Sequence, residues 1–453
     1  MDHLVDDDVD IISSMPHEIL HRILSFIPIK LAIRTSALSR GWRHVWCETP
    51  CLDFDNLNYY REKPTAREIN QTLSFYRALK ITSFKFPIPR YALGPDIDSW
   101  IEFAVSRNVE KLNLVFLGYS SYKYDFQKIF YLSSSLTELF IQDFDAFREC
   151  TVVSWKSLRK LTLWGCSFTD DGSLRNILSG SPILETLELD YSAGPQRLDL
   201  SKSHSLRRLE IRGPTEIVAP HVHYLSLETS SEGPSCTLED VSSLTEARFH
   251  IIMNDLSCPL KLDILQPMVL KLFAKLQNVK RLTFTGPVLQ ILSLAELHGI
   301  HYPTFKVETL TVETRLTRSV IPGLAMLLQN SPQLKSLKAS PSCLIDIENR
   351  DLYRCLESQG LNPDQCWRSK YEAFPTSDEF FRMISYHRKD ETWKLMVLFM
   401  EMVMKNVKTL ETLVVEWKYI ESIVSHESWF EEYFLQMLPT LSNNNNVFIV
   451  FKR

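Results

Sequence analysis

The chain is poor in glycine, with 13 among 453 residues, and none sits in a P-loop or GxGxxG pattern of the kind that folds backbone N–H groups around phosphate. GxSxG and HExxH are missing too, so neither a nucleophile elbow nor a helical zinc pair is on offer. There is no basic surplus: 50 lysines and arginines face 55 acidic residues, for a net charge of -5. That balance argues against nucleic acid or an anionic lipid surface as partner. The opening "MDHLVDDDVD" has neither the basic region nor the apolar region of a secretory signal. No run approaches the roughly 18 apolar residues of a spanning helix; even "KLMVLFMEMVMK" is interrupted by Glu401. Nine cysteines, an odd number scattered along the chain, fit reduced thiols better than a disulfide framework. The expectation is an intracellular protein, nuclear and/or cytoplasmic, with no nucleic-acid or membrane partner.

Metal and catalysis are expected to be absent as well. His44, Cys47 and Cys51 have a superficially metal-like spacing, but no second ligand pair follows at zinc-finger distance. They read as one surface histidine and two core or interface thiols. Cys343, Cys355 and Cys366 lie in a polar segment and read as unpaired thiols near solvent. No catalytic residue, metal ligand or cofactor site is assigned.

What the chain does have is self-similarity. "ILSGSPILETLEL" (177–189), "LLQNSPQLKSLKA" (327–339) and "VMKNVKTLETLVV" (403–415) share one plan: a helix end, a polar break, then LxxLxL. Taking the second leucine as marker gives Leu112, Leu139, Leu161, Leu187, Leu209, Leu225, Leu282, Leu310 and Leu337, mostly about 22 to 28 residues apart, the leucine-rich-repeat period. A degenerate copy, "LTEARF", puts Ala247 at the marker between Leu225 and Leu282. In LxxLxL the last two leucines alternate on a strand and share a side, while the residue between them points the other way. One such unit cannot bury its leucines alone, so successive units stack. The fold class predicted is α/β: an irregular leucine-rich solenoid on a parallel sheet, with segments such as "SLRNILSG" returning as helices on the outer face. Cys166, in "LRKLTLWGCSF", falls where such repeats bury a small residue.

The pattern spans 51–340. An acidic tail (1–10) and a helical head (11–50) precede it. A polar, proline-punctuated insertion or linker (341–391) and a terminal helix and strand block (392–453) follow, the latter with a turn at its four asparagines.

The head poses a packing problem. In "MPHEILHRILSFIPIK" a helix begins near Pro16, which suits a first turn, carries Ile19, Leu20, Ile23, Leu24 and Ile27 as a wide apolar stripe, and is expected to end at Pro28. A second short helix, "KLAIRTSA", and a third, "RGWRHVW", capped by Ser39, follow. Chains below roughly 40 residues rarely build a self-sufficient core, and each large aliphatic left in water forgoes about 1.5 to 3 kcal/mol. Something else must cover them: the leucine-rich part can cover some, and a partner protein the rest.

These residues resemble the F-box, the module by which substrate receptors dock on the Skp-family adaptor of Skp/cullin/F-box ubiquitin ligases. Met15 and Pro16 stand for its Leu-Pro, Ile27 and Pro28 for its second one, and Arg34 to Trp46 is similar to the "RTSxLSxxWRxxW" close of plant members. Leu31 replaces a usually polar residue, and Gly41 sits inside the expected third helix, where glycine costs roughly 1 kcal/mol. With "CLDFDN" and "IDSWIEFAVSRNVEKLNL", most of the chain resembles plant F-box, leucine-rich-repeat and FBD-domain proteins, with an FBD-like C-terminal cap. The resemblance implies that Met15, Pro16, Ile19, Leu20, Ile23, Leu24, Ile27, Pro28, Leu38, Trp42 and Trp46 contact the adaptor, and through it a cullin. For Trp42 and Trp46 the alternative is packing of the F-box onto the repeats.

Residues between the inward leucines line the sheet face that binds partners in solenoids. Phe140 and Trp164, aromatics expected side by side in solvent, with Glu188, Asp190, Arg212 and Arg248, are the candidates for holding a target protein; with Glu210, Glu228, Glu313 and His250 at the same positions of other strands, acids outnumber bases along this face, which favours a basic target segment. The function expected is a non-enzymatic substrate receptor. Two rivals remain at this point: a receptor completed by a small ligand near Arg212 and Arg248, and a repeat scaffold whose F-box no longer docks.

Overall fold

A computed structural model describes residues 12, 14–54, 64–89, 91–117, 124–144, 147, 152–168, 171–193, 195–213, 216–230, 236–253, 262–300, 302–340, 347, 349–362, 399–416 and 447–452. The chain divides into two compact units, Met1–Pro195 with Lys202–Arg207, and Gln196–Ser201 with Arg208–Arg453.

The first unit opens with the head: α1 (His17–Leu24), α2 (Ile29–Arg34) and two 3-10 segments, Thr35–Ala37 and Trp42–Glu48. Helix α1 starts where Pro16 leads it, but it ends at Leu24 rather than Pro28. Pro28 instead begins α2, its carbonyl accepting from the Leu31 and Ala32 N–H groups at 2.9 and 3.1 Å. Proline has no N–H to lose at a helix start, which is why the sequence places it there. The third helix is 3-10 throughout, and no side chain caps it; Gly41, not Ser39, precedes its first residue.

Then come β1 (Cys51–Asp53), α3 (Ala66–Phe75), β2 (Ser83–Ile88), α4 (Gly94–Ser106), β3 (Lys111–Phe116), α5 (Lys128–Tyr131), β4 (Glu138–Gln142), β5 (Lys160–Ser167), α6 (Asp171–Ser179) and β6 (Thr186–Ala193). Thr65 and Glu68 start α3 with a reciprocal capping box. The strands pair in parallel, and the markers align across them: Leu52, Phe84, Leu112, Leu139, Leu161 and Leu187 face one another in succession. All six are buried. Leu52 and Phe84 are repeat markers the sequence pattern had not revealed, since "CLDFD" and "SFKFPI" lack the LxxLxL spelling. Aromatics fill the space behind the sheet. Trp155 donates its indole N–H to the Phe130 carbonyl at 2.8 Å, and Phe126 stacks on Phe130 with centroids 4.3 Å apart.

In the second unit lie β7 (Arg197–Asp199), β8 (Arg208–Arg212), β9 (Glu216–Val218), β10 (Tyr224–Ser230), β11 (Thr237–Leu238), β12 (Glu246–Ile252), α7 (Leu262–Lys275), β13 (Arg281–Thr285), α8 (Gly286–Leu297), β14 (Thr309–Glu313), α9 (Ile321–Gln329), β15 (Ser336–Ser340), α10 (Asn349–Ser358), β16 (Thr412–Glu416) and β17 (Phe448–Lys452). Leu209, Leu225, Ala247, Leu282, Leu310, Leu337, Leu413 and Ile449 align. The degenerate copy at Ala247 is thus in register, and the ladder runs on past 340, as the shared plan of 403–415 requires. Returning segments are not all helical. Between β7 and β12 the returns β7, β9 and β11 form their own three-stranded parallel sheet. For β9 the reason is length: only the stretch from 209 to 225 separates its two markers, too short for a strand, a multi-turn helix and two connections.

Helices α8 and α9 are apolar all round and buried along nearly their whole length, as such helices must be. Their polar groups are met internally: Gln290 donates to Ser319 Oγ and the Ile347 carbonyl, and the Gly323 N–H donates to Ser293 Oγ at 2.8 Å. Within 341–391 the described part includes helix α10; residues 399–406 are helical ahead of β16. The four asparagines (443–446), Cys343 and Cys366 lie outside the described residues. Among the described residues no helix is long and apolar enough to cross a membrane.

Candidate functional site

The head divides its apolar residues into two sets. Leu20, Leu24, Ile29, Ala32, Trp42, Val45 and Trp46 are buried, α1 packing on the Trp42–Glu48 segment. Ile19 and Ile23 remain 46% and 43% exposed, Leu31 44%, Leu38 68%, Phe26 79% and Ile12 54%. Ile19 and Ile23 are one turn apart on α1 and therefore share a face. Met15, Ile27 and Pro28 are half-buried, and Pro16 is exposed. The eleven residues assigned to one surface thus separate: Leu20, Leu24, Trp42 and Trp46 build the head's own small core and are not open to a partner. In the 3-10 segment Trp42 and Val45 eclipse one another and Trp46 lies a third of a turn away, and all three are buried, with α1 packed on the segment.

Phe26 was missed because it falls outside the helical stripe; α1 ends two residues before it, and the turn leaves it outward. Leu31, a departure in sequence, adds apolar area to the open set. Gly41 precedes the third segment instead of lying inside it, with helical φ and ψ. The head is tied to the first repeat by the Cys47 carbonyl, which accepts from the Arg77 N–H at 2.8 Å, and by the Tyr76 hydroxyl, which donates to the Thr49 carbonyl. Desolvation raises the Tyr76 pKa, so the phenol keeps its donating proton.

The second candidate surface is the open face of the strands. In the first unit, Phe140 and Trp164 meet edge to face with centroids 5.7 Å apart, as their alternation on adjacent strands requires; Phe140 is half-buried and Trp164 is 47% exposed. Glu188 is held by Lys160 at 2.7 Å and by the Thr162 hydroxyl at 3.0 Å; Asp190 is the cross-strand partner of Trp164. In the second unit, Arg212 pairs with Glu228 and Arg248 with Glu313, the latter at 2.7 Å. His250, placed on the solvated face by its parity, is buried, with Nδ1 3.3 Å from Glu228. Its pKa is depressed to about 4, first by desolvation and then by Arg248. The face of this unit is therefore a set of mutually neutralised charges.

The cysteines behave as packing groups. Cys166 is buried, with Sγ directed at the Ile141 and Trp164 carbonyls, and desolvation pushes its thiol up to about 12. Cys47 is buried, Cys51 and Cys355 half-buried, and His44 exposed. Among the described residues no three His, Cys, Asp or Glu side chains gather as a metal set.

Comparison with known proteins identifies the family. The F-box domain family matches residues 12–53, and the family described as "FBD-associated F-box protein At5g56370, LRR repeats" matches 97–229. The Arabidopsis thaliana F-box/LRR-repeat protein At3g28410 is 50% identical over 457 aligned residues, covering 99% of this chain and 94% of that protein. The F-box/LRR-repeat protein At5g02910 of the same plant is 45% identical, covering 99% and 96%. The chain belongs to the F-box/LRR-repeat family. Its F-box is the helical head, and its leucine-rich repeats are the aligned strands. Proteins of the F-box/LRR family generally act as substrate receptors of ubiquitin ligases, adaptor subunits rather than enzymes, and an F-box implies a Skp-type adaptor as partner.

Proposed function

We propose that this F-box/LRR protein docks the Skp-family adaptor through the exposed apolar residues of its F-box, is linked through that adaptor to a cullin, and presents a target protein on the open face of its strands. The observation that carries the reading is the division of the head: a closed core around Leu20, Leu24, Trp42 and Trp46, beside Ile19, Ile23, Phe26, Leu31 and Leu38 left in water. Fully burying a large apolar side chain is worth about 1.5 to 3 kcal/mol, so the exposed parts of these four aliphatics and one phenylalanine supply a docking surface that no other described segment of the chain occupies. The chain performs no bond chemistry in this scheme. It raises the effective concentration of a target lysine near a charged conjugating enzyme.

Adaptor capture by the full chain is the test. Ile19→Asp with Ile23→Asp is expected to abolish capture while the far-UV circular dichroism and melting of the chain stay unchanged, because both side chains already face water. Capture equal to wild type would show that the docking face is elsewhere. Leu20→Asp would be uninformative, since it would insert a charge into the head's core. A small-ligand receptor is not favoured: Arg212 and Arg248, the basic groups such a site would use, are committed to Glu228 and Glu313.

A further inference from the structure

Strand β5 is bulged immediately after Trp164: Trp164 pairs with Asp190, but Cys166 pairs with Tyr191, leaving Gly165 as the extra residue at φ +61°. Bulges bend a strand and re-aim the side chain beside them. Gly165 also has no Cβ for a reason. A Cβ there would lie 2.4 Å from Asp143 Oδ1, so the missing methyl is the space that lets the Asp143 carboxylate lie against the strand next to Trp164. Asp143 is held in place from its own side: it sits in the left-handed region at φ 56°, its N–H donates to the Trp164 carbonyl at 2.8 Å, and its Oδ2 accepts from Gln142 Nε2 at 3.1 Å. No cation pairs with it among the described residues.

These groups ask for one kind of guest. An exposed indole attracts a cation to its face. A carboxylate with no cation beside it among the described residues accepts N–H donors. Guanidinium is planar, weakly hydrated, stacks on aromatic rings and donates in several directions at once, whereas ammonium is a compact and strongly hydrated point charge. We infer that the Trp164–Asp143 corner of the strand face is a seat for an arginine side chain in a basic segment of the target protein. This inference rests on the reading of that face as the target surface.

The test uses the full chain with 15N-labelled tryptophan and three capped peptides alternating glycine with arginine, lysine or citrulline. The indole N–H signal of Trp164 is identified by its loss in Trp164→Ala. The arginine peptide is expected to move that signal, the lysine peptide to bind about threefold more weakly, and the citrulline peptide, which keeps the shape but loses the charge, to leave it in place. Asp143→Asn, a change the left-handed backbone tolerates, is expected to weaken the arginine peptide about three- to fivefold. Equal responses to arginine and citrulline, or Asp143→Asn binding like wild type, would overturn the inference. If the adaptor is captured but the indole ignores arginine, the receptor reading stands and this one falls. If the indole responds but the adaptor is not captured, the reverse holds.

Discussion

In the repeats Leu139, Leu161 and Leu187 are closed off from water, whereas in the F-box Ile19, Ile23 and Leu38 are left in it. Both regions belong to the same compact unit and draw on the same residue types. The difference is stacking. Strands such as β4 and β5 have a neighbour on both sides to cover their leucines, and the register keeps the markers opposite one another. The F-box has no neighbouring copy, and its short segments close around two tryptophans and stop. Exposed aliphatics in the head are thus not a general looseness of the chain; a few residues away the same side chains are sealed.

The sharpest way to break that contrast is to truncate one residue of each kind. Leu161→Ala is expected to cost about 2 to 5 kcal/mol, as large-to-small changes in closed cores do, read as a fall in the urea midpoint. Ile19→Ala is expected to stay within about 0.5 kcal/mol of wild type while lowering adaptor capture. Trp46→Ala should follow Leu161 and not Ile19, although both F-box residues carry the same family resemblance. If Ile19→Ala destabilised the chain as much as Leu161→Ala, the open face would not be open.

A second test concerns how tightly the sealed region is fitted. Helices α8 and α9 approach so closely at Gly323 that a Cβ would lie 2.3 Å from the Leu289 carbonyl oxygen and 2.8 Å from the Ser293 nitrogen. Those are backbone atoms and cannot swing aside. Gly323→Ala is expected to cost about 1 to 3 kcal/mol as an overpacking change, despite the better helix propensity of alanine. A neutral or stabilising outcome in thermal melts would mean that the two helices are not in the contact described.

Much of this was readable beforehand. Periodic leucines gave the strands, their shared register and the exposed pairing of Phe140 with Trp164, because a period of two fixes which way each side chain points once one is known. The degenerate copy at Ala247 was legible for the same reason. What escaped is where one residue is decided by partners distant in sequence. Leu52 and Phe84 join the ladder only through the strands they pair with. Trp42 and Trp46 look like a surface stripe at helical spacing, whereas the segment is 3-10 and buries both. Arg212 and Arg248 read as free charges because their carboxylates lie on other strands. Gly165 and Asp143 carry no motif at all, and only the bulge brings them together.

The two strand faces can be compared through pH. In the second unit His250 is buried beside Glu228, with Arg248, Arg212 and Glu313 around it, and its folded pKa of about 4 lies below the ordinary 6.5. Between those values the unfolded chain binds a proton that the folded chain does not, so stability falls as pH drops from about 6.5 towards 4 and levels off below. His250→Gln is expected to remove part of that slope. Urea midpoints at pH 7, 6 and 5 should converge less steeply for the variant; identical slopes would mean the imidazole is not held neutral. Trp164→Ala, on the face of the first unit, should leave the slope unchanged.

The smallest expected effect tests whether the head's own backbone is strained. Glycine in the third segment reads from sequence as a defect inside a helix. In the structure Gly41 precedes that segment with φ −64° and ψ −35°, a conformation any L residue adopts, and the nearest atom to an added Cβ is Ser39 Oγ at 3.6 Å, an ordinary contact. Nothing in the folded state then asks for glycine, while in the unfolded state glycine has the most freedom to lose. Gly41→Ala is therefore expected to stabilise the chain slightly, by about 0.4 to 1 kcal/mol, and to leave adaptor capture as in wild type. Capture reduced by a methyl at Gly41 would place that residue against the adaptor and move the docking face from α1 towards the turn between Leu38 and Trp42.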